Sequence, residues 1–171
     1  MKRMFKLILA SIISIWLFSY ATCKYGFKDT SPIPEEVKTF RVNYFDNKAQ
    51  YVSPTLAPAL TERLRQKIIG STRLTQTNDD NAHYDISGYV SDYSVSTSGI
   101  TNNQSGTNRL NVGFHIVFRN TLDDTKNSES DVTYTLDFPA SQTLSDIESS
   151  KSDEITRNLT DAIFNKIFSN W

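Results

Sequence analysis

From Arg109 to Asn120 the chain alternates almost without exception. Leu110, Val112, Phe114, Ile116 and Phe118 share one parity; Arg109, Asn111, Gly113, His115 and Arg119 share the other, and Val117 is the one apolar intruder. Successive side chains of a strand point to opposite faces, so this segment can bury one face and must leave the other to water. Asp131 to Phe138 repeats the pattern with Val132, Tyr134, Leu136 and Phe138 inside. Val37 to Phe45 reads as a third such strand, with Phe40, Val42 and Tyr44 on one side. His83 to Ser96 is a fourth, with a change of phase. Tyr84, Ile86, Gly88 and Val90 have one parity and Tyr89, Tyr93 and Val95 the other, so a bulge is expected between Gly88 and Asp92. Thr97 to Thr107 is rich in Ser, Thr, Gly and Asn and reads as a long hairpin loop.

Strands apolar on one face need one cover. Two segments with helical periodicity supply it. Leu56, Leu60, Leu64 and Ile68 recur every fourth residue, after a start at Ser53-Pro54 and before a stop at Gly70. Pro58 is tolerable there if it falls in the first turn, where its missing N–H has no helical partner to lose. A second stripe, Ile155, Leu159, Ile163 and Ile167, runs from about Ser152 to Ser169, with Arg157 and Asp161 spaced for a surface ion pair. The expected order is β-α-β-β-β-α, the last three strands forming an antiparallel meander. The expected fold is α+β, a two-layer sandwich in which a four-stranded sheet is covered on one face by two helices.

A length of 171 residues leaves room for one such domain, placed at 37–171. At 38% apolar and 22% charged, the composition is that of a folded chain and not of a disordered tail. Residues 1–22 differ from the rest. Lys2, Arg3 and Lys6 precede an apolar run from Leu7 to Phe18, which is too short to span a bilayer but fits the core of a signal peptide. Ser19-Tyr20-Ala21-Thr22 leads to Cys23, the one cysteine of the chain, in the manner of a lipobox. Cleavage before Cys23 and acylation of its thiol are expected. A lone thiol in an oxidising compartment is a liability unless chemistry consumes it. Processing removes three bases and no acid, so fifteen bases against 19 acids leave a formal charge of −4. Residues 23–36, with Pro32 and Pro34, read as a lipidated extended tether.

Catalytic chemistry finds little support. His83 and His115 are the two histidines, and one cysteine completes the soft ligands, so neither a metal nor another cofactor is expected. Asp79-Asp80 and Asp123-Asp124 fall in polar turns. There is no phosphate-cradling glycine loop, nucleophile elbow or zinc-helix motif. A hydrolase using His115 as base would lack a nucleophile beside it. No basic stripe suggests nucleic acid. What exceeds an ordinary solvated surface is the polar strand face. Arg41, Arg109 and Arg119 lie on the outward parity of their strands, with His115 between the last two, and could converge on an anion if the strands are neighbours.

Several stretches resemble the LptE family of lipopolysaccharide-assembly lipoproteins, in the branch typical of Bacteroidota. They are Tyr44-Phe45-Asp46-Asn47-Lys48-Ala49, Val52-Ser53-Pro54-Thr55-Leu56 with Leu60-Thr61-Glu62, Arg109-Leu110-Asn111-Val112, and the end from Asp161 to Trp171. The likeness spans essentially the whole chain after Cys23. It implies a non-enzyme of two-layer α/β fold, lipid-anchored on the periplasmic side of the outer membrane. It implies a partner, the large LptD β-barrel, and contact with lipopolysaccharide, an anionic glycolipid. Arg41, Arg109, Arg119 and His115 are the candidate glycolipid contacts. The alternative is another envelope or secretion-system lipoprotein that uses the same module to contact a different protein.

Overall fold

The computed structural model describes residues 33–101 and 104–169, with side chains described outside 98–105. The signal segment, Cys23, the tether as far as residue 32 and Trp171 lie outside the described residues. The strands are β1 (Thr39–Val42), β2 (Asp46–Asn47), β3 (Thr75–Gln76), β4 (Tyr84–Thr101), β5 (Gln104–Asn120) and β6 (Ser128–Pro139); the helices are α1 (Leu56–Ser71) and α2 (Leu144–Phe168). They form one mixed sheet in the order β3-β1-β4-β5-β6, with β2 also on β4. β4, β5 and β6 are the expected antiparallel meander, whereas β1, β2 and β3 pair in parallel. Two short strands thus join the four expected ones. Both helices pack on one face, α1 against β1 and β3, and α2 against β6 and α1.

The core lies between the layers. Phe40, Val42, Tyr84, Ile86, Leu110, Phe114 and Ile116 face Leu60, Leu64, Ile68, Leu159 and Ile163, all essentially inaccessible to water. The expected bulge is present. Val90 lies opposite Phe114 and Asp92 opposite Gly113, which leaves Ser91 as the extra residue and turns Tyr93 into the core. Gly113 makes room for it, since a Cβ there would come 2.9 Å from the Ser91 hydroxyl. Gly88 makes a slot on the other face. A Cβ would lie 2.7 Å from the Phe114 ring and 2.3 Å from the His115 carbonyl oxygen. Phe114 fills that slot and meets Phe45 edge-on at 4.7 Å.

The first strand departs from its simple alternation. Val42 lies opposite Ile86 and Asp46 opposite Tyr89, so four residue steps run beside three. The extra residue inverts the pattern: Phe45 enters the core and Tyr44 is left 78% exposed. The Phe45 N–H, freed from the ladder, donates to the buried Thr61 hydroxyl of α1 at 3.1 Å. That hydroxyl donates in turn to the Ala57 carbonyl at 2.9 Å.

Both helices begin and end where side chains permit. α1 starts at Leu56 after Thr55, not at the buried Ser53, which puts Pro58 third in the helix, within the first turn. It runs one residue past Gly70 and closes where the Thr72 hydroxyl and N–H both donate to the Ile68 carbonyl. α2 starts at Leu144, eight residues before the expected Ser152. Thr143 caps the Asp146 N–H while the Asp146 carboxylate accepts from Thr143 N–H, a reciprocal capping box. Asp161 of α2 pairs with Lys67 of α1 at 2.9 Å rather than with Arg157, tying the helices together. Of the expected loop, Thr97 to Thr101 and Gln104 to Thr107 are drawn into the hairpin, with pairing continuing to Thr101 and Gln104. The packed body begins at Ile33, which is buried and whose carbonyl accepts from Arg73.

Candidate functional site

The open face of the sheet carries the four residues singled out by the sequence. Register places Arg41 of β1 opposite Asp85 of β4, and Asp85 opposite Arg119 of β5. Arg41 and Arg119 therefore flank one carboxylate with a strand between them. Arg109 lies ten residues from Arg119 along β5, ~33 Å at ~3.3 Å per residue. The three arginines do not converge on one point.

Neighbouring strands bring most of them counter-ions. Arg41 Nε donates to Asp85 Oδ1 at 3.0 Å and its NH1 pairs with Asp80. Those two bonds, Asp85 first, hold the guanidinium charged more firmly than usual. Asn43 adds a bond to the same Asp85 oxygen at 2.8 Å. Arg109 makes a two-pronged pair with Asp137 of β6, at 2.6 and 2.9 Å, which holds the Asp137 carboxyl below its ordinary range. Arg119 is exposed and, among the described residues, has no carboxylate within ion-pair reach. It borders a shallow depression of about 190 Å³ with Asn127, Ser128 and Glu129.

His115 sits in a row that crosses the sheet. Its Nδ1 is 2.8 Å from Asp131 and its Nε2 3.7 Å from Glu129, both on β6. On its other side the imidazole stacks on Tyr89 of β4 at 5.0 Å, and Lys48 Nζ lies 4.0 Å from the centre of that ring. The row Lys48, Tyr89, His115, Asp131 was not anticipated. Its signal was present in the sequence: Asp131 and Asp137 share the outward parity of their strand, as His115 and Arg109 do of theirs. A face read as basic from one strand at a time becomes charge-matched once strands are paired.

A second polar cluster escaped sequence reading because it joins three distant segments. Tyr51 donates to Glu148 of α2 at 3.0 Å and stacks on Tyr93 of β4 at 5.5 Å. Burial, then the Glu148 charge, pushes the Tyr93 hydroxyl well above its ordinary range. Tyr93, Glu148, Ser53, Ser152 and Leu56, the first residue of α1, border a void of about 10 Å³, the size of one water. Among the described residues no group of three His, Cys, Asp or Glu could hold a metal ion. His83 is engaged structurally, accepting from the Lys38 N–H at 3.0 Å. Among the described residues no helix is long and apolar enough to cross a membrane.

Comparison with known proteins gives the fold relatives and the family. Rare lipoprotein B from Shewanella oneidensis superposes with a TM-score of 0.50 at 12% identity, over 74% of this chain and 92% of that one. Lipoprotein B from Nitrosomonas europaea gives 0.50 at 10%, over 77% and 79%. A hypothetical protein of Chlamydia trachomatis gives 0.50 at 7%, over 78% and 99%. At these identities the likeness is one of fold. No curated protein matches the sequence. A family model for lipopolysaccharide assembly matches residues 37–169, from just before β1 to just past the end of α2. The chain belongs to the LptE lipopolysaccharide-assembly family.

Proposed function

We propose that the protein is the lipid-anchored partner of a large LptD-like β-barrel in lipopolysaccharide transport, held by an acylated Cys23 on the periplasmic side of the outer membrane. The observation that carries this reading is the family match across the packed domain. The family is non-catalytic, and the site geometry suits binding: Arg41 and Arg109 are held by carboxylates of neighbouring strands, His115 sits against Asp131, and Arg119 is left facing solvent. Lipopolysaccharide phosphates would meet the open strand face at Arg41, Arg109, Arg119 and His115. Arg119 offers its guanidinium directly. At Arg41 and Arg109 a phosphate must displace Asp85 and Asp137, so contact there is weaker and depends strongly on salt.

Co-purification of the full chain from detergent-solubilised outer membrane tests the assembly. A very large barrel protein should accompany it in fixed ratio, and purification with a different transporter would overturn the reading in favour of another envelope module. For the glycolipid, charge reversal at Arg109 and Arg119 together should weaken binding of purified lipopolysaccharide about tenfold, the loss of roughly one charge-assisted hydrogen bond. Unchanged affinity with intact circular dichroism removes the strand face from the lipid path.

A further inference from the structure

We propose that the outer edge of β6 is a docking site for an extended segment of another protein, one in which lysine or arginine alternates with apolar side chains. The proposal is independent of whether that protein is the barrel. β6 closes the sheet on one side. Its twelve residues pair with β5 without a break in register, so one row of backbone N–H and C=O groups points away from the sheet over nearly its whole length. Proteins usually blunt such an edge with a proline, a bulge or charged side chains, and the charges on this edge are carboxylates, which repel most strands but not a cationic one. Here the one proline is the last residue, Pro139, and no register shift interrupts the strand. Among the described residues no chain lies alongside it.

The two faces of the edge specify the occupant. Toward the helices, Val132, Tyr134 and Leu136 are half-buried against the core and leave apolar surface beside α2. Toward the open face stand Glu129 and Asp131, 68% and 72% exposed, with one histidine between them. An added strand would place apolar side chains against the first set and cations against the second, at the two-residue period that backbone pairing imposes. Carboxylates argue against a second copy of this chain. Antiparallel self-pairing centred on Thr133 sets Glu129 opposite Asp137, and centring on Tyr134 sets Asp131 opposite Asp137, and the second copy brings no cation beyond the Arg109 already bound to each Asp137. Like charges directly opposed destabilise a strand pair.

The test uses the full chain and three synthetic decapeptides: alternating lysine and valine, the same residues in two blocks, and alternating glutamate and valine. The alternating lysine peptide should bind, weaken with salt, and protect alternate backbone amides of β6 from hydrogen exchange. The block and glutamate peptides should not. Replacing Glu129→Lys and Asp131→Lys together should weaken the lysine peptide about tenfold, because two cross-strand pairs turn from attraction to repulsion, and should admit the glutamate peptide. N-methylation of alternate amides on the peptide's pairing edge should abolish binding while leaving its charge intact. Equal binding of block and alternating peptides would overturn the proposal, as would protection away from β6. So would protection of the edge without peptide, which would show that the chain's own N-terminal segment or a second copy already occupies it.

Discussion

Thr61→Val isolates the hydrogen bond that makes the jog between β1 and β2 tolerable. The side chains are nearly isosteric, so no cavity opens at a site 1% exposed. What disappears is the acceptor for the Phe45 N–H, at 3.1 Å and buried. A buried donor left without a partner costs about 1–3 kcal/mol. The Ala57 carbonyl is less affected, because the helix still supplies it with a donor. Thr61→Ser is the control: it keeps both hydrogen bonds and loses one methyl, roughly 0.8 kcal/mol. Urea denaturation should show a lower midpoint for the valine variant with an unchanged slope, since the surface exposed on unfolding is the same. Hydrogen exchange separates the two causes. The Phe45 amide should stay protected in the serine variant and exchange faster in the valine variant by more than global stability explains. A valine variant within about 0.5 kcal/mol of the wild type, the usual range for a surface change, would refute the reasoning.

Three further outcomes follow from the structure and from the anchor proposed for it. Ile163→Ala, at a fully buried position of α2, should lower stability by ~2–5 kcal/mol in the same denaturation assay. Asp146 is held below its ordinary range by the Thr143 backbone and hydroxyl, so its share of stability is present above the unfolded value and is lost as pH falls through the folded one. Asp146→Asn should therefore flatten the decline in urea midpoint below about pH 4, and an identical acid limb would refute the cap's contribution. Intact mass of the mature protein should start at a multiply acylated Cys23, and Cys23→Ser should move the domain to the soluble fraction; an unmodified mass starting elsewhere refutes the anchor.

Much of the fold was legible because burial writes a period into the chain. The alternation of β5, the stripe of α1 and the phase change resolved at Ser91 each follow from one buried face. Other features followed different rules. The first eight residues of α2 show little apolar period: between Ile147 and Ile155 lie Ser149, Ser150, Lys151, Ser152 and Asp153, all solvent-facing. Its start was written instead in Thr143 and Asp146. The β1–β2 jog depends on a hydroxyl sixteen residues away in α1, which no local pattern reports. Thr97 to Thr107 looked like loop by composition, yet pairing across the hairpin overrides weak strand propensity. On the open face, residue types were read correctly and their charge balance was not, because Asp85, Asp131 and Asp137 matter through register.

The parallel seating of β1 against β4 has a kinetic side. Phe40 must find Tyr84 across 44 residues, with all of α1 in between, whereas β4 and β5 meet across the short link between Thr101 and Gln104. Loop-closure entropy makes the longer closure costlier by roughly 2 kcal/mol. The meander, with α2 arriving directly after β6, can therefore order first and present β4 as a template. β1 then docks late, although it leaves the ribosome first. Substitutions in β1 should speed unfolding and barely slow folding, giving φ-values near zero there and higher ones in the β4–β5 hairpin. Until β4 is in place, Phe40 and Val42 stay uncovered, a window in which a chaperone holdase would find its substrate.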